Sequence, residues 1–397
     1  MPPPALPLLE VFLAFLKLGL TSFGGPVAHL AFFREEFVAR RRWLDEKAYA
    51  DLVALCQFLP GPASSQVGMS LGILRAGLPG ALAAWIAFTL PSAIALIVFA
   101  YGVQTFEGWL NTGVLDGLKI AAVAVVAQAL WSMARSLCPD ALRASFALIT
   151  AIGILLWPGS LTQIVFLILA AIAGWRLLPM IDTAGSEALH LPVSRGTASI
   201  AWVLFAGLLI VLPLLASAGG SQALALFDSF YRTGALVFGG GHVVLPLIES
   251  EVVPPGWVSA DAFLAGYGAA QAVPGPLFTF AAYLGAVMQP APNGWLGGLL
   301  CLVAVFLPSL LLVVGALPFW HRLRGNAAVR KALAGVNAAV VGLLLAALYD
   351  PAWVNAIGSP REFALALVAV LLLAVLKLSP WLVVLLSAAG GVLLRSL

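Results

Sequence analysis

Charge is what this chain has least of. Asp, Glu, Lys and Arg make up 9% of its 397 residues, where a soluble domain carries about 25%. Hydrophobic residues reach 62%. A water-soluble fold of this size is excluded, because it could not bury so much apolar surface and still cover itself with polar groups. Cysteine is scarce too: Cys56, Cys138 and Cys301 stand alone in apolar settings, so neither a disulfide framework nor a metal-ligand spacing is present. Four dispersed histidines (His29, His190, His242, His321) give no structural zinc site, and no cofactor is expected. The net charge of +3 is too small to point to nucleic acid. Met1-Pro2-Pro3-Pro4 lacks a basic start, so no cleavable signal peptide is expected.

Long apolar runs are what the chain does have. Ile200–Leu215 and Phe363–Leu376 are solidly apolar, without the alternation of barrel strands. Lipid leaves backbone groups no partner outside the segment itself, so these runs read as helices. The expected fold class is an all-α polytopic membrane protein with the bilayer as its solvent. Segments near 8–30, 49–76, 79–103, 115–136, 143–157, 160–178, 198–216, 223–247, 262–288, 294–318, 333–349, 363–377 and 380–395 are the candidate spans. Several carry a Gly/Pro break and qualify as re-entrant hairpins. Phe32–Lys47 is too charged to span and reads as an amphipathic interfacial helix.

The motifs occur twice. Phe15, Lys17, Gly19 and Phe23-Gly24-Gly25-Pro26 return as Phe230, Arg232, Gly234 and Phe238-Gly239-Gly240-Gly241, 215 residues on. Gln57 with Pro60-Gly61-Pro62 returns as Gln271 with Pro274-Gly275-Pro276. Leu90-Pro91-Ser92 returns as Leu307-Pro308-Ser309, and Gly117 with Lys119 as Gly335 with Asn337. Four motifs in one order predict a duplicated chain. Repeat one covers 8–178, repeat two 223–397, and a linker plus one extra transmembrane helix fills 179–222.

Charge sets orientation. Arg34, Arg40, Arg41, Arg42 and Lys47 follow the first motif of repeat one, whereas Glu249, Glu251 and Asp261 occupy the matching stretch of repeat two. In the next loop the bias reverses: Glu107 and Asp116 in repeat one, Arg322, Arg324, Arg330 and Lys331 in repeat two. Basic loops stay in the cytoplasm, so the two repeats are expected to have inverted topology, a pattern of secondary transporters.

Pro-Gly-Pro cannot continue a helix, since proline lacks the donor and clashes one turn back. Broken backbone at membrane depth is tolerated only inside protein or beside a polar cavity. Each break also starts a helix, whose free N–H groups and partial positive charge suit an anion. The expected substrate-binding residues are therefore Gly24, Gly25, Pro26, Gln57, Pro60, Gly61 and Pro62, with Gly239, Gly240, Gly241, Gln271, Pro274, Gly275 and Pro276 from the other copy. Lys17 and Arg232 join them as cations at equivalent places in apolar segments; the plainer alternative is snorkelling toward an interface. Lys119, Asn337, His29 and His242 are secondary candidates. For the histidines, a hydrogen-bonded structural role competes with proton carriage.

The arrangement Thr21-Ser22-Phe23-Gly24-Gly25-Pro26-Val27-Ala28-His29, then Glu36-Phe37-Val38, Trp43, Cys56-Gln57-Phe58-Leu59-Pro60-Gly61-Pro62 and Gln66, resembles the chromate ion transporter family, in its long-chain two-domain form. Phe238 to His242 and Gln271 to Pro276 resemble it as well, and the likeness covers essentially the whole chain. Repeat two departs by carrying Gly241 where repeat one has Pro26, so the halves need not contribute equally. The resemblance implies export of chromate from the cytoplasm through the inner membrane and chromate resistance as the phenotype. Sulfate, alike in shape and charge, is the natural competitor. No Gly-x-x-x-x-Gly-Lys loop is present, so ATP is not required of this chain, and no nucleophile–base pair or carboxylate dyad suggests an enzyme. Membrane potential, with or without proton antiport, is the expected drive. The alternatives are transport of sulfate or another oxyanion, and a non-transport membrane scaffold. The expected partners are the anion and the lipid bilayer; the oligomeric state stays open, a homodimer included.

Overall fold

The structure, a computed structural model, describes residues 7–105, 112–179, 193–238, 241–320 and 326–396. Its described residues form helices and no strand, and six of those helices are long and apolar enough to cross a membrane. The protein is an all-α, multi-pass membrane protein.

Repeat one opens with α1 (Pro7–Thr21), breaks at Ser22–Gly24, and resumes as α2 (Gly25–Phe33), which runs on through a wide π turn, Arg34–Arg40. Helix α3 (Glu46–Phe58) starts where the Asp45 carboxylate accepts from Ala48 N, the usual N-cap bond. It ends at Leu59, before Pro60. Helix α4 (Ala63–Thr105) then folds back on itself at Ala76–Gly77, where Gly77 takes φ 66 and ψ −158. The two limbs touch backbone to backbone, since a Cβ on Gly72 would run into the Gly80 carbonyl. Helices α5 (Thr112–Leu137), α6 (Ala141–Leu156) and α7 (Ser160–Leu177) complete this half. The extra helix α8 (Arg195–Gly219) lies mostly exposed.

Repeat two follows the same plan. It holds α9 (Gln222–Leu236), α10 (Val244–Val252), α11 (Ala260–Ala270), α12 (Phe280–Val287) and α13 (Gly294–Ala316). Then come α14 (Ala327–Ala347), α15 (Pro360–Val370, extended by a π turn to Val375) and α16 (Pro380–Ser396). The backbone-to-backbone fold-back recurs between α12 and α13, where a Cβ on Gly285 would meet the Gly297 carbonyl.

The copies are interlaced. Helix α5 of repeat one packs on α15 and α16 of repeat two, while its counterpart α14 packs on α6 and α7 of repeat one. Equivalent glycines make both exchanges close: a Cβ on Gly117 would strike the Ser387 carbonyl, and one on Gly335 the Ala170 carbonyl. Small residues let membrane helices approach this way, where no hydrophobic effect drives them together.

Phe32–Lys47 differs from the interfacial helix expected of it. Phe33 and Phe37 are fully buried against Phe15, with the Phe15 and Phe37 rings stacked at 4.9 Å. The helix ends at Arg40, and Arg42 sits at φ 53. Its aromatic face finds α1 and α4 rather than lipid. The linker residues Asp182, Glu187 and His190, and the loop charges Glu107, Arg322 and Arg324, lie outside the described residues.

Candidate functional site

The two Pro-Gly-Pro breaks lock the halves together reciprocally. Gly61 N donates to Val237 O at 2.6 Å, and Gly275 N donates to Ser22 O at 2.9 Å. Ser22 and Val237 are themselves equivalent, each just ahead of the other break of its repeat. Gly61 holds φ 117 and Gly275 φ 97, a region L side chains rarely enter. A Cβ on Gly61 would collide with Ser309 Oγ; one on Gly275 would lie 2.8 Å from Ser92 Oγ. The recurring Leu-Pro-Ser motif thus seats the glycine of the opposite repeat. One expectation changes here: the N–H groups of Gly61 and Gly275 are occupied by these bonds and are not free for a ligand.

Around this lock lies a cavity of about 790 Å³. Both halves line it: Gly24, Gly25, Pro26, Gln57, Gly61 and Ala63 from repeat one, Gly241, His242, Gln271 and Asn337 from repeat two. Gly241 reaches Pro26 across the repeat boundary, where an added Cβ would come within 3.4 Å of Pro26 Cγ. Three helix starts, at Gly25, Ala63 and Gly241, therefore face one space. Pro60, Pro62, Pro274, Gly275 and Pro276 shape the breaks without appearing on the cavity wall. Gly239 and Gly240 lie outside the described residues.

The wall supplies donors without carboxylates: none of the described lining residues is acidic. Gln271 Nε2 is buried and has no hydrogen-bond partner among the described residues. Sequence reasoning missed one whole stripe. Gln128, Ser132 and Ser136 of α5 line the cavity at spacings of four, one face of a helix. Polar residues repeating every fourth place in an apolar span were the readable signal. Exposure grows along this stripe, from buried Val125 through half-buried Gln128 to exposed Ser132 and Ser136. The cavity therefore widens toward the C-terminal end of α5.

Lys17 and Arg232 do not line this space. Lys17 Nζ lies 3.2 Å from Glu36 Oε2, and Arg232 Nη2 lies 2.9 Å from Glu251 Oε2. Each pair spans 19 residues, so cation and glutamate recur together. Arg232 Nε also meets Asp228 at 3.0 Å. Glu36 gathers Arg40 and Arg41 as well. Burial pushes the Glu36 carboxyl up, but the hydrogen bonds from Arg41 and Lys17 outweigh it and hold the group below the usual range. At both equivalent places the cation is thus held by a carboxylate 19 residues on, within a larger charge cluster.

Lys119 also faces away from the cavity. It pairs with Asp116 at 3.0 Å and with Asp261 of the other repeat at 2.9 Å, and Arg395 joins Asp116 at 2.7 Å. Its counterpart Asn337 lines the cavity. The histidines divide similarly. His29 is buried, with Nε2 at 3.2 Å from Ser22 O, the carbonyl that also receives Gly275 N. It buttresses the lock. His242 is on the wall, with Nδ1 2.8 Å from the Tyr267 hydroxyl.

A bundle of membrane helices with broken segments closing on a polar cavity is the architecture of a transport protein. The family model described as chromate transporter matches this chain twice, over residues 9–175 and 224–392. The chain belongs to the chromate transporter family. It is 28% identical to the chromate transport protein of Pseudomonas aeruginosa over 359 residues, 89% of this chain and 83% of that one. It is 26% identical to the chromate transport protein of Cupriavidus metallidurans over 387 residues, 95% of this chain and 90% of that one. An uncharacterized transporter of Bacillus subtilis, 30% identical over 167 residues, matches 41% of this chain but 92% of its own length. No solved structure matches significantly.

Proposed function

We propose that this protein exports chromate across the inner membrane, binding the dianion in the cavity between its two halves. The observation that carries this is the cavity wall: paired helix breaks from both repeats, donor side chains, and no carboxylate among the described lining residues. Helix starts and side-chain amides hold an oxyanion through their free N–H groups and the helix dipole. The binding set is Gly24, Gly25, Pro26, Gln57, Gly61, Gly241, His242, Gln271 and Asn337, with Gln128 and Ser132 beside them. Lys17 and Arg232 hold the bundle together from outside it.

The halves lie in opposite orientations, with the Arg34–Lys47 stretch in the cytoplasm and the Asp116–Lys119–Asp261–Arg395 cluster at the outer face. The charge reversal between equivalent loops supports this. The cavity widens toward the α5 end that carries Arg135, so this conformation faces inward, and the outer cluster closes the far side. Export needs no nucleotide. A dianion leaving a cell that is negative inside gains about 2.3 kcal/mol per charge per 100 mV. Two charges give about 4.6 kcal/mol, roughly three decades of gradient. Proton antiport adds to this drive if His242 takes a proton as the site turns over.

The deciding experiment is chromate uptake into everted membrane vesicles with an imposed potential, interior positive. Uptake that follows the potential and is weakly displaced by sulfate supports chromate export. Equal displacement by sulfate at equal concentration reassigns the protein to oxyanions in general. Absence of uptake for both, with the protein correctly inserted, returns it to a scaffold role.

A further inference from the structure

We infer that Lys377 is the cation that draws the dianion into the cavity, a specificity-determining residue that neither repeat symmetry nor motif reveals. This rests on the chromate reading of the same cavity. Among the described lining residues, Lys377 is the only lysine or arginine. It makes no ion pair among the described residues, whereas Lys17, Arg41, Arg75, Lys119, Arg232 and Arg395 are all paired. No carboxylate among the described residues competes with an incoming anion for it.

Its backbone is the second observation. Lys377 holds φ 54, one of two non-glycine residues in the left-handed region among the described residues. The corresponding turn of repeat one, between α6 and α7, uses Gly159 for its positive φ. A lysine there costs conformational energy that glycine would avoid. Strain kept at a ligand-facing position is a functional signal once it is observed.

Depth is the third. Lys377 sits at the tip of the hairpin formed by α15 and α16. The far ends of this hairpin gather near Asp116, where Arg395 is bound and Pro360 shares a small pocket. From Pro360 to Val375 is 16 residues, a rise of about 24 Å. The hydrocarbon core is about 30 Å thick. The tip thus stops short of the opposite surface, at a depth where a charge is expensive unless water reaches it. The cavity provides that water: Lys377 and its neighbour Ala374 are exposed and line it. A positive charge in a cleft with low-dielectric walls focuses its field into the opening.

The test compares wild type with Lys377→Gly, Lys377→Arg and Lys377→Glu in everted vesicles, reading apparent KM and maximal rate for chromate at low and high ionic strength, and melting temperature in detergent. Lys377→Gly is expected to melt at or above the wild-type temperature, because the strain is relieved. Its KM should rise about tenfold at low salt, within the range that electrostatic focusing supplies, with the maximal rate changed less than KM. Lys377→Arg should stay near wild type, and Lys377→Glu should raise KM further. High salt should narrow the gap between wild type and Lys377→Gly. A wild-type KM in Lys377→Gly, or equal losses in Lys377→Arg and Lys377→Gly, overturns the assignment of Lys377 while leaving chromate transport standing. A wild type that moves neither chromate nor sulfate overturns the transport reading and this inference with it.

Discussion

At the scale of the residue, the recurrent ion pairs decide what two intramembrane cations are for. Lys17 keeps about half its side chain exposed while Glu36 beside it is nearly buried, at 53% and 6% exposure. The carboxylate is the group that needs the partner. Removing the charge with Glu36→Gln is expected to lower stability by about 1.5–3 kcal/mol, the range for hydrogen bonds to charged groups, read as a fall in melting temperature. The pH dependence has a definite sign. Because the folded pKa of Glu36 is depressed, its contribution is fully present above the ordinary glutamate pKa of about 4.3. It is lost as pH falls through the lower folded value. Wild type should therefore lose more stability than Glu36→Gln when pH is taken from 6 to below about 4. Lys17→Met should lower the melting temperature while leaving the chromate KM within about twofold, since a paired side chain off the cavity wall contributes to folding and little to focusing. A large KM change in Lys17→Met would restore it to the substrate site.

At the scale of the element, the helix breaks serve the contact between repeats as much as the cavity. Each Pro-Gly-Pro glycine has its N–H committed to the opposite half and its Cβ position filled by the opposite serine. Gly61→Ala is expected to cost about 1–3 kcal/mol in backbone strain alone, with the Ser309 collision added. Gly61→Ala with Ser309→Gly should recover part of the folded yield in size-exclusion chromatography; no recovery would remove the serine from the account. Much at this scale was readable from the chain itself. Pro60, Pro62, Pro274 and Pro276 break helices through their own chemistry, wherever the rest of the fold lies. The α5 stripe was readable in principle too, since Gln128, Ser132 and Ser136 share a helical face. Its significance needed the space that it borders.

At the scale of the whole molecule, interlacing is the central fact. Because α5 and α14 each pack on the opposite repeat's final hairpin, neither half buries its own faces alone. The cluster of Asp116, Lys119, Asp261 and Arg395 joins both repeats, so on the proposed topology outward opening separates it. Cysteines replacing Lys119 and Asp261, joined by a short bifunctional thiol reagent, are expected to stop chromate uptake reversibly; uptake that survives a complete cross-link removes this cluster from the cycle. Opposite orientation of the repeats has its own check. Lys47→Cys and Pro255→Cys, both at exposed positions, should react with impermeant reagent from opposite faces.

Composition and helix-breaking chemistry were enough to establish a helical membrane protein with broken segments, and the ordered recurrence of motifs pointed to a duplication. Each of these depends on chemistry local to a few residues: apolar length, a missing donor, a shared spacing. Three things waited for the tertiary structure: which glutamate neutralises Lys17, which carbonyl receives Gly61 N–H, and how Lys377 comes to stand on the cavity wall. Their partners lie far along the chain, and only packing brings them within a few ångströms. Lys119 and Asn337, at matching places in the two repeats, end in different surroundings: Lys119 pairs with Asp116 and Asp261, and Asn337 lines the cavity.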